Sequence, residues 1–126
     1  MRLILDSGAL IALERNDRAM WSRFKAAQLA SSVPVTHGGV VGQAWRGRGA
    51  RQALLAKALR GIEVRALDEE AGRAAGQLLG LCAASDVIDA ALVLLAEDGD
   101  DIITSDPDDI ERLSAASGLH VELIRV

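Results

Sequence analysis

The chain has 126 residues, of which half are apolar and a quarter are charged, and its formal net charge is −4. These values predict one globular domain spanning residues 1–126, and they exclude a disordered chain and a chain-wide basic surface for nucleic acid. No apolar run approaches the ~18 residues of a membrane span. The short apolar start is broken by Asp6, and Cys82 is the lone cysteine, so we expect no signal peptide, no disulfide and a cytoplasmic location.

The first half of the chain is predicted to contain two strands and four helices. "RLILD" is a short apolar run that ends in an acid, which is typical of a buried strand, and Ser7 is a plausible N-cap for the next helix. Pro34 predicts that the second strand is short or lies at a sheet edge. In chain order we expect a strand over 2–6, helices over 7–16 and 17–30, a strand over 31–36, and helices over 38–47 and 50–61.

The second half continues the same alternation. Acids open its two longer helical segments, Gly99 closes the second of them, and Pro107 suits the first turn of a helix. In chain order we expect a strand over 62–67, helices over 68 to about 83 and over 86–99, a strand over 101–106, a helix over 107–117 and a strand over 120–126. This order predicts a three-layer α/β/α sandwich around a mainly parallel sheet of four to five strands.

Acidic residues follow two of these strands and open one of the helices. Asp6 ends the first strand, Asp106 follows the fourth, and Asp86 and Asp89 lie three residues apart on one helix face. Because ligands of open parallel sheets bind beyond the carboxyl ends of the strands, we expect these acids to converge there. Carboxylates without His or Cys favour Mg²⁺ or Mn²⁺.

Each acid also has a structural explanation. Asp86 is suited to capping its helix, Asp109 is suited to the positive end of the helix after Pro107, and Asp108 is suited to solvent. Asp6 and Asp89 are harder to explain in this way, because their neighbours are apolar and a buried charge needs compensation.

Three segments, "LILDSGALIALE", "DVIDAALVLLA" and "IITSDPDDIERL", resemble PIN-domain ribonucleases, particularly the VapC toxins of bacterial VapBC toxin–antitoxin modules. The resemblance covers the chain from end to end. It implies that Asp6, Asp89 and Asp106 are metal ligands, with Asp86 and Asp109 as auxiliary acids. It also implies hydrolysis of RNA phosphodiester bonds with Mg²⁺ or Mn²⁺, a VapB-type antitoxin as partner, and a homodimer.

The segment "HGGVVGQAWRG" departs from the family pattern, because Gln43 stands where the family has a glutamate. Glutamine offers a neutral carbonyl oxygen and removes one negative charge, so we expect a weakened site in which Gln43 orients water or completes the ligand shell. The spacing does not show that Glu14 replaces this glutamate. Arg46, Arg48 and Arg51 are the expected phosphate contacts for RNA.

Several other functions are weaker interpretations of the same residues. A dehalogenase-type phosphatase needs a second Asp where this chain has Gly8, and a receiver domain needs a late lysine, which is absent after Lys57. In "HGGVVG", His37 stands where a dinucleotide fingerprint begins with glycine. The main alternative is a PIN-like protein that binds antitoxin or RNA without cleaving it, which Gln43 favours.

Overall fold

The computed structural model describes residues 1–126, which form five strands and seven helices. The strands are β1 (Leu3–Leu5), β2 (Val35–His37), β3 (Glu63–Arg65), β4 (Asp101–Thr104) and β5 (Glu122–Arg125). The helices are α1 (Ser7–Glu14), α2 (Arg18–Leu29), α3 (Gly38–Ala44), α4 (Gln52–Leu59), α5 (Glu69–Cys82), α6 (Val87–Val93) and α7 (Pro107–Ser117).

All five strands are parallel, in the order β3-β2-β1-β4-β5. Ile4 in the central strand is in register with Val35 of β2 on one side and with Ile102 of β4 on the other. The chain builds outward from β1 in both directions, so the strand order reverses there. The carboxyl ends of β1 and β4 therefore lie side by side at the position where such folds bind ligands. The predicted α/β/α sandwich with a parallel sheet is confirmed.

The core is aliphatic, as the composition requires. It contains 25 buried hydrophobic residues, and Phe24 is the one aromatic among them. β1 and β4 are buried along their whole length, which explains the apolar run of β1 and the two isoleucines, Ile102 and Ile103, of β4. Helix α1 packs against α2, α3 and α4, whereas α5, α6 and α7 pack against one another.

Two local predictions are corrected, and one is confirmed in one of its two alternatives. The N-cap of α1 is Asp6, whose carboxylate accepts from the Ala9 N–H, and Ser7 is the first helical residue. β2 is short, as Pro34 predicted, and it lies inside the sheet rather than at an edge. Pro34 lies just before the strand, so no strand hydrogen bond is needed from its nitrogen. Helix α6 ends at Val93 rather than near Gly99.

The short α6 has a physical cause in the loop that follows it. The buried Asp100 carboxylate accepts hydrogen bonds from the Glu97 N–H, the Arg2 N–H and the Arg2 guanidinium. This carboxylate holds residues 97–100 in a turn that leads into β4 and leaves no room for further helix.

The larger apolar side chains of the first four helices divide between core and surface. Leu13, Met20, Phe24 and Val40 are buried in the core, so they are not part of a surface. Trp21 and Leu54 are half-buried, and Trp45 is 39% exposed.

No single helix has the length and hydropathy needed to cross a bilayer. Helices α5 and α6 reach those values only when taken together, and they are bent by 101° at the break between them.

Candidate metal centre at the carboxyl ends of the strands

Three carboxylates meet at the rim formed by the ends of the central strands. Asp89, Asp106 and Asp109 each present an oxygen within 4.8 Å of the other two. Asp89 is half-buried and the other two are exposed, so the group opens to solvent on one side. These residues come from α6 and from the start of α7, which are distant in sequence.

The β4–α7 junction positions two of these acids. The buried Thr104 hydroxyl accepts from the Asp106 N–H at 2.9 Å, which turns the chain directly after the strand. Pro107 then begins α7, and the Asp106 side chain makes no capping hydrogen bond. Asp109 lies three residues after Asp106, so both carboxylates project from the same side of the first turn.

Helix α6 supplies the third acid. Its N-cap is Asp86, whose carboxylate accepts from the Asp89 N–H at 3.1 Å. Asp86 is exposed, and its capping role agrees with the structural explanation of this residue. The cap fixes the first helical turn, which carries Asp89 toward the rim.

The electrostatics of the group are unfavourable without a cation. Burial, followed by the charges of Asp86, Asp6, Asp106 and Asp109, raises the pKa of Asp89 to about 7. The pKa of Asp106 is also raised, first by its side-chain hydrogen bond with Asp109 and then by burial. Groups that resist ionisation together in this way gain stability when a divalent cation neutralises them.

Asp6 lies beside this group but has a different environment. It is buried, its Oδ1 accepts from the Ala9 N–H at 2.9 Å, and its Oδ2 accepts from the Ser105 N–H at 3.0 Å. Asp6 therefore joins β1, the start of α1 and the loop before α7. It is not among the three acids within 4.8 Å of one another, although its charge raises the pKa of Asp89.

Gly8 allows this close approach of α1 to the β4–α7 loop. A β-carbon at Gly8 would lie 2.5 Å from both Cβ and Oγ of Ser105, which is far inside van der Waals contact. The lack of a side chain at Gly8 thus lets the Asp6 and Asp106 segments lie against each other.

Neither Gln43 nor Glu14 forms a hydrogen bond with Asp89, Asp106 or Asp109. Gln43 is exposed on α3, and its side chain makes no hydrogen bond within the chain. Glu14 accepts from the amide Nε2 of Gln52, whose Oε1 in turn accepts from the N–H groups of Arg46 and Gly47. Glu14 therefore anchors the loop between α3 and α4.

The three expected RNA contacts also differ from one another. The Arg46 guanidinium donates to the carbonyls of Gly42 and Trp45, so it closes the end of α3. Arg48 and Arg51 are exposed, and neither makes an ion pair with the chain.

His37 is a structural residue of the site that the sequence analysis did not identify. It is buried, its Nδ1 accepts from the Gly39 N–H, and its Nε2 lies 2.9 Å from the Ile88 carbonyl oxygen. Because Nδ1 accepts, the proton is on Nε2, which donates to Ile88. Burial lowers the pKa of His37 despite that hydrogen bond, so the ring is neutral at pH 7. His37 thus ties the end of β2 to α6 next to Asp89.

The donor set fits a hard divalent cation. All the converging atoms are carboxylate oxygens, and no sulfur or nitrogen ligand is among them. One face of the group is open to solvent, which leaves space for water and for a ligand that the cation would contact.

No family model matches the chain, and no curated protein matches it. Among solved structures, the chain is similar to one in the crystal structure of VapBC2 from Rickettsia felis bound to a DNA fragment from their promoter. The similarity covers 98% of each chain with a TM-score of 0.70, at 12% sequence identity. The chain therefore has a PIN-like fold.

Proposed function

We propose that the protein is a metal-dependent endoribonuclease that acts as the toxin of a toxin–antitoxin pair. The observation that carries the proposal is the group of Asp89, Asp106 and Asp109 at the ligand-binding rim of a PIN-like fold. Three carboxylates held this close repel one another, which costs folding free energy unless a cation compensates their charge. A role in binding explains such a group more readily than a role in stability.

In this proposal the three grouped acids hold Mg²⁺ or Mn²⁺ and Asp6 supports them. The ion would polarise the scissile phosphate and lower the pKa of an attacking water. Asp6 keeps the Ser105 segment against α1, and the Thr104 hydroxyl sets the direction in which Asp106 leaves the strand. Asp6 still has lone pairs free to reach the ion or its water shell.

Asp109 has a larger role here than the sequence suggested. Its position in the first turn of α7 is compatible with a helix-dipole effect, but its carboxylate lies within 4.8 Å of those of Asp89 and Asp106. We propose that Asp109 supplies the charge that Gln43 lacks. Asp86 acts through its cap on α6 and through its charge.

A second candidate function is a PIN-like protein that binds an antitoxin or RNA without cleavage. The exposed, uncharged Gln43, which makes no hydrogen bond, favours this alternative. The remaining parts of the proposal are a VapB-type antitoxin partner, a homodimer, a single domain and a cytoplasmic location. They rest on the resemblance and on the complex named for the structural neighbour.

The test is RNA cleavage by purified, partner-free protein with Mg²⁺ or Mn²⁺. Asp106→Asn and Asp109→Asn should each lower cleavage by about 100-fold or more, because each removes one charged ligand. Asp108→Asn is the matched control on the same turn, and it should retain activity. Equal cleavage by all four proteins would indicate a contaminating nuclease and would refute the enzymatic proposal.

The two candidate functions are separated by Gln43→Glu. If the protein is an enzyme with a depleted site, this substitution should raise cleavage or metal affinity. No cleavage by the parent protein or by Gln43→Glu, together with tight antitoxin binding, would favour the non-catalytic function.

A further inference from the structure

Three cationic side chains line a pocket between α2 and α4. The pocket encloses about 340 Å³, and no acidic residue lines it. Helix α2 contributes Arg18 and Lys25, and α4 contributes Lys57. Trp21 and Leu54 form its apolar wall.

The positive charge of this pocket is concentrated and uncompensated. Lys25 and Lys57 are the two lysines of the chain, they are 32 residues apart, and both line this pocket. Neither lysine makes an ion pair, and Arg18 makes none either. In a protein of net charge −4, such a local excess indicates an anionic ligand.

Trp21 gives the pocket a rigid aromatic wall. Its indole N–H donates to the Leu13 carbonyl at 3.0 Å, and its ring packs edge-on against Phe24 with centroids 5.5 Å apart. The ring is therefore held in place while part of it remains accessible. A fixed aromatic surface beside flexible ammonium groups suits a base that stacks and phosphates that pair with cations.

The pocket is separated from the acid group by the length of α1. This helix begins at the Asp6 cap, spans eight residues and thus measures about 12 Å, and Asn16 of the pocket lies beyond its end. The acid group repels polyanions until a cation is bound. A basic site at this distance would hold an RNA strand without bringing positive side chains into the metal centre.

We propose that the pocket formed by Arg18, Trp21, Lys25 and Lys57 is an anchoring site for single-stranded RNA. The identity of the ligand rests on the proposed ribonuclease function, whereas the anionic character of the ligand rests on the pocket alone. Phosphate contacts come from the three cations, and one base stacks on Trp21. An acidic peptide is the competing ligand for the same three cations, and the experiment below includes one.

The experiment measures binding of a 2′-O-methyl RNA of about eight nucleotides in EDTA, within the ~4–16 nucleotides typical of such sites. Trp45→Phe leaves Trp21 as the one fluorophore that reports on the pocket. In this background we compare Lys25→Gln/Lys57→Gln with Arg23→Gln/Arg60→Gln. Both pairs remove one charge from α2 and one from the end of α4, so the net charge is the same. Far-ultraviolet circular dichroism and thermal unfolding check that each variant is folded.

The anchoring site predicts that RNA quenches Trp21 fluorescence and that the lysine pair weakens binding at least ten-fold. It also predicts a salt slope near −2 for three contacts, which falls in magnitude by about 1.4 in the lysine pair. The arginine pair should bind as the parent does. Equal weakening by both pairs, no change in Trp21 fluorescence, or tight binding of a polyglutamate peptide in place of RNA would each overturn the proposal.

This measurement separates the anchoring site from the nuclease function, because it needs neither metal nor cleavage. RNA binding that depends on the lysines in a protein without nuclease activity would refute the nuclease function and retain the anchoring site. Cleavage that is unaffected by the lysine pair, together with no change in Trp21 fluorescence when RNA is added, would retain the nuclease function and refute the anchoring site.

Discussion

Replacement of Asp89 by asparagine should stabilise the metal-free protein and remove its response to metal. Burial and four neighbouring acids raise the pKa of Asp89 from 3.8 to about 7, a shift of roughly three units. At about 1.4 kcal/mol per unit, the full shift corresponds to ~4 kcal/mol against the ionised form. Because Asp89 is half-exposed, solvent screening reduces this cost to about 1–2 kcal/mol.

The pH dependence of this effect has a defined sign. The pKa of Asp89 is higher in the folded protein than in the unfolded chain. Its contribution to stability is therefore fully present below pH ~4 and is lost as the pH rises through about 7. The advantage of Asp89→Asn should be small at pH 4 and complete at pH 8, where the melting temperature should rise by roughly 3–8 °C.

The assay is thermal unfolding at pH 8 in EDTA and in millimolar Mg²⁺ or Mn²⁺. The parent protein should gain stability with metal, since the ion binds the folded state. Asp89→Asn should start higher in EDTA and gain little. Asp108→Asn should match the parent in both conditions. A variant that is less stable than the parent in EDTA, or that keeps the full metal response, would refute the reasoning.

Three further predictions concern the packing of the fold and the candidate site. Gly8→Ala should cost about 1–3 kcal/mol in thermal unfolding, because its β-carbon would lie 2.5 Å from the Ser105 side chain. Asp100→Asn should cost roughly 1–3 kcal/mol at pH 7. Burial raises the pKa of Asp100, but hydrogen bonds from the 97–100 turn and Arg2 lower it overall, so its contribution should fade in acid unfolding below pH ~4. Gln43→Glu should raise metal affinity in a direct titration, and unchanged affinity would place Gln43 outside the ion's reach.

The control for Gly8→Ala is Gly76→Ala. Gly76 is exposed on α5, and a β-carbon there meets no atom within 4 Å. Because alanine favours the helix, Gly76→Ala should stabilise the protein by about 0.5–1 kcal/mol. Equal effects of the two substitutions would mean that the Ser105 contact is not tight.

The element order and fold class were predictable because apolar runs, caps and glycines occur where the structure has its boundaries. "LIL" and "DIIT" are buried on both faces of the sheet, and parallel central strands require that composition. The early end of α6 was not predictable, because it depends on Asp100 receiving hydrogen bonds from Arg2, nearly a hundred residues away. Helical periodicity contains no information on such a contact.

The candidate site was partly predictable, because some of its residues are fixed by the ends of predicted elements and others depend on contacts between distant segments. Asp6, Asp89 and Asp106 follow from strand ends and a helix start, but the inclusion of Asp109 depends on the direction in which α7 leaves β4. The three-residue spacing between Asp106 and Asp109 indicates that their side chains share a face. This signal was given little weight because the helix dipole also explains an acid at the position of Asp109. His37 was missed because a lone histidine after a strand has no pattern that predicts its hydrogen bond to α6.

The central claim is that Asp89, Asp106 and Asp109 form one divalent-cation site. Calorimetric titration of the purified, metal-free protein with Mn²⁺ tests it most directly, with Asp109→Asn and Asp108→Asn measured alongside. We expect saturable binding by the parent and by Asp108→Asn, and at least ten-fold weaker binding by Asp109→Asn. Binding that is absent from the parent, or equal in all three proteins, would contradict the account.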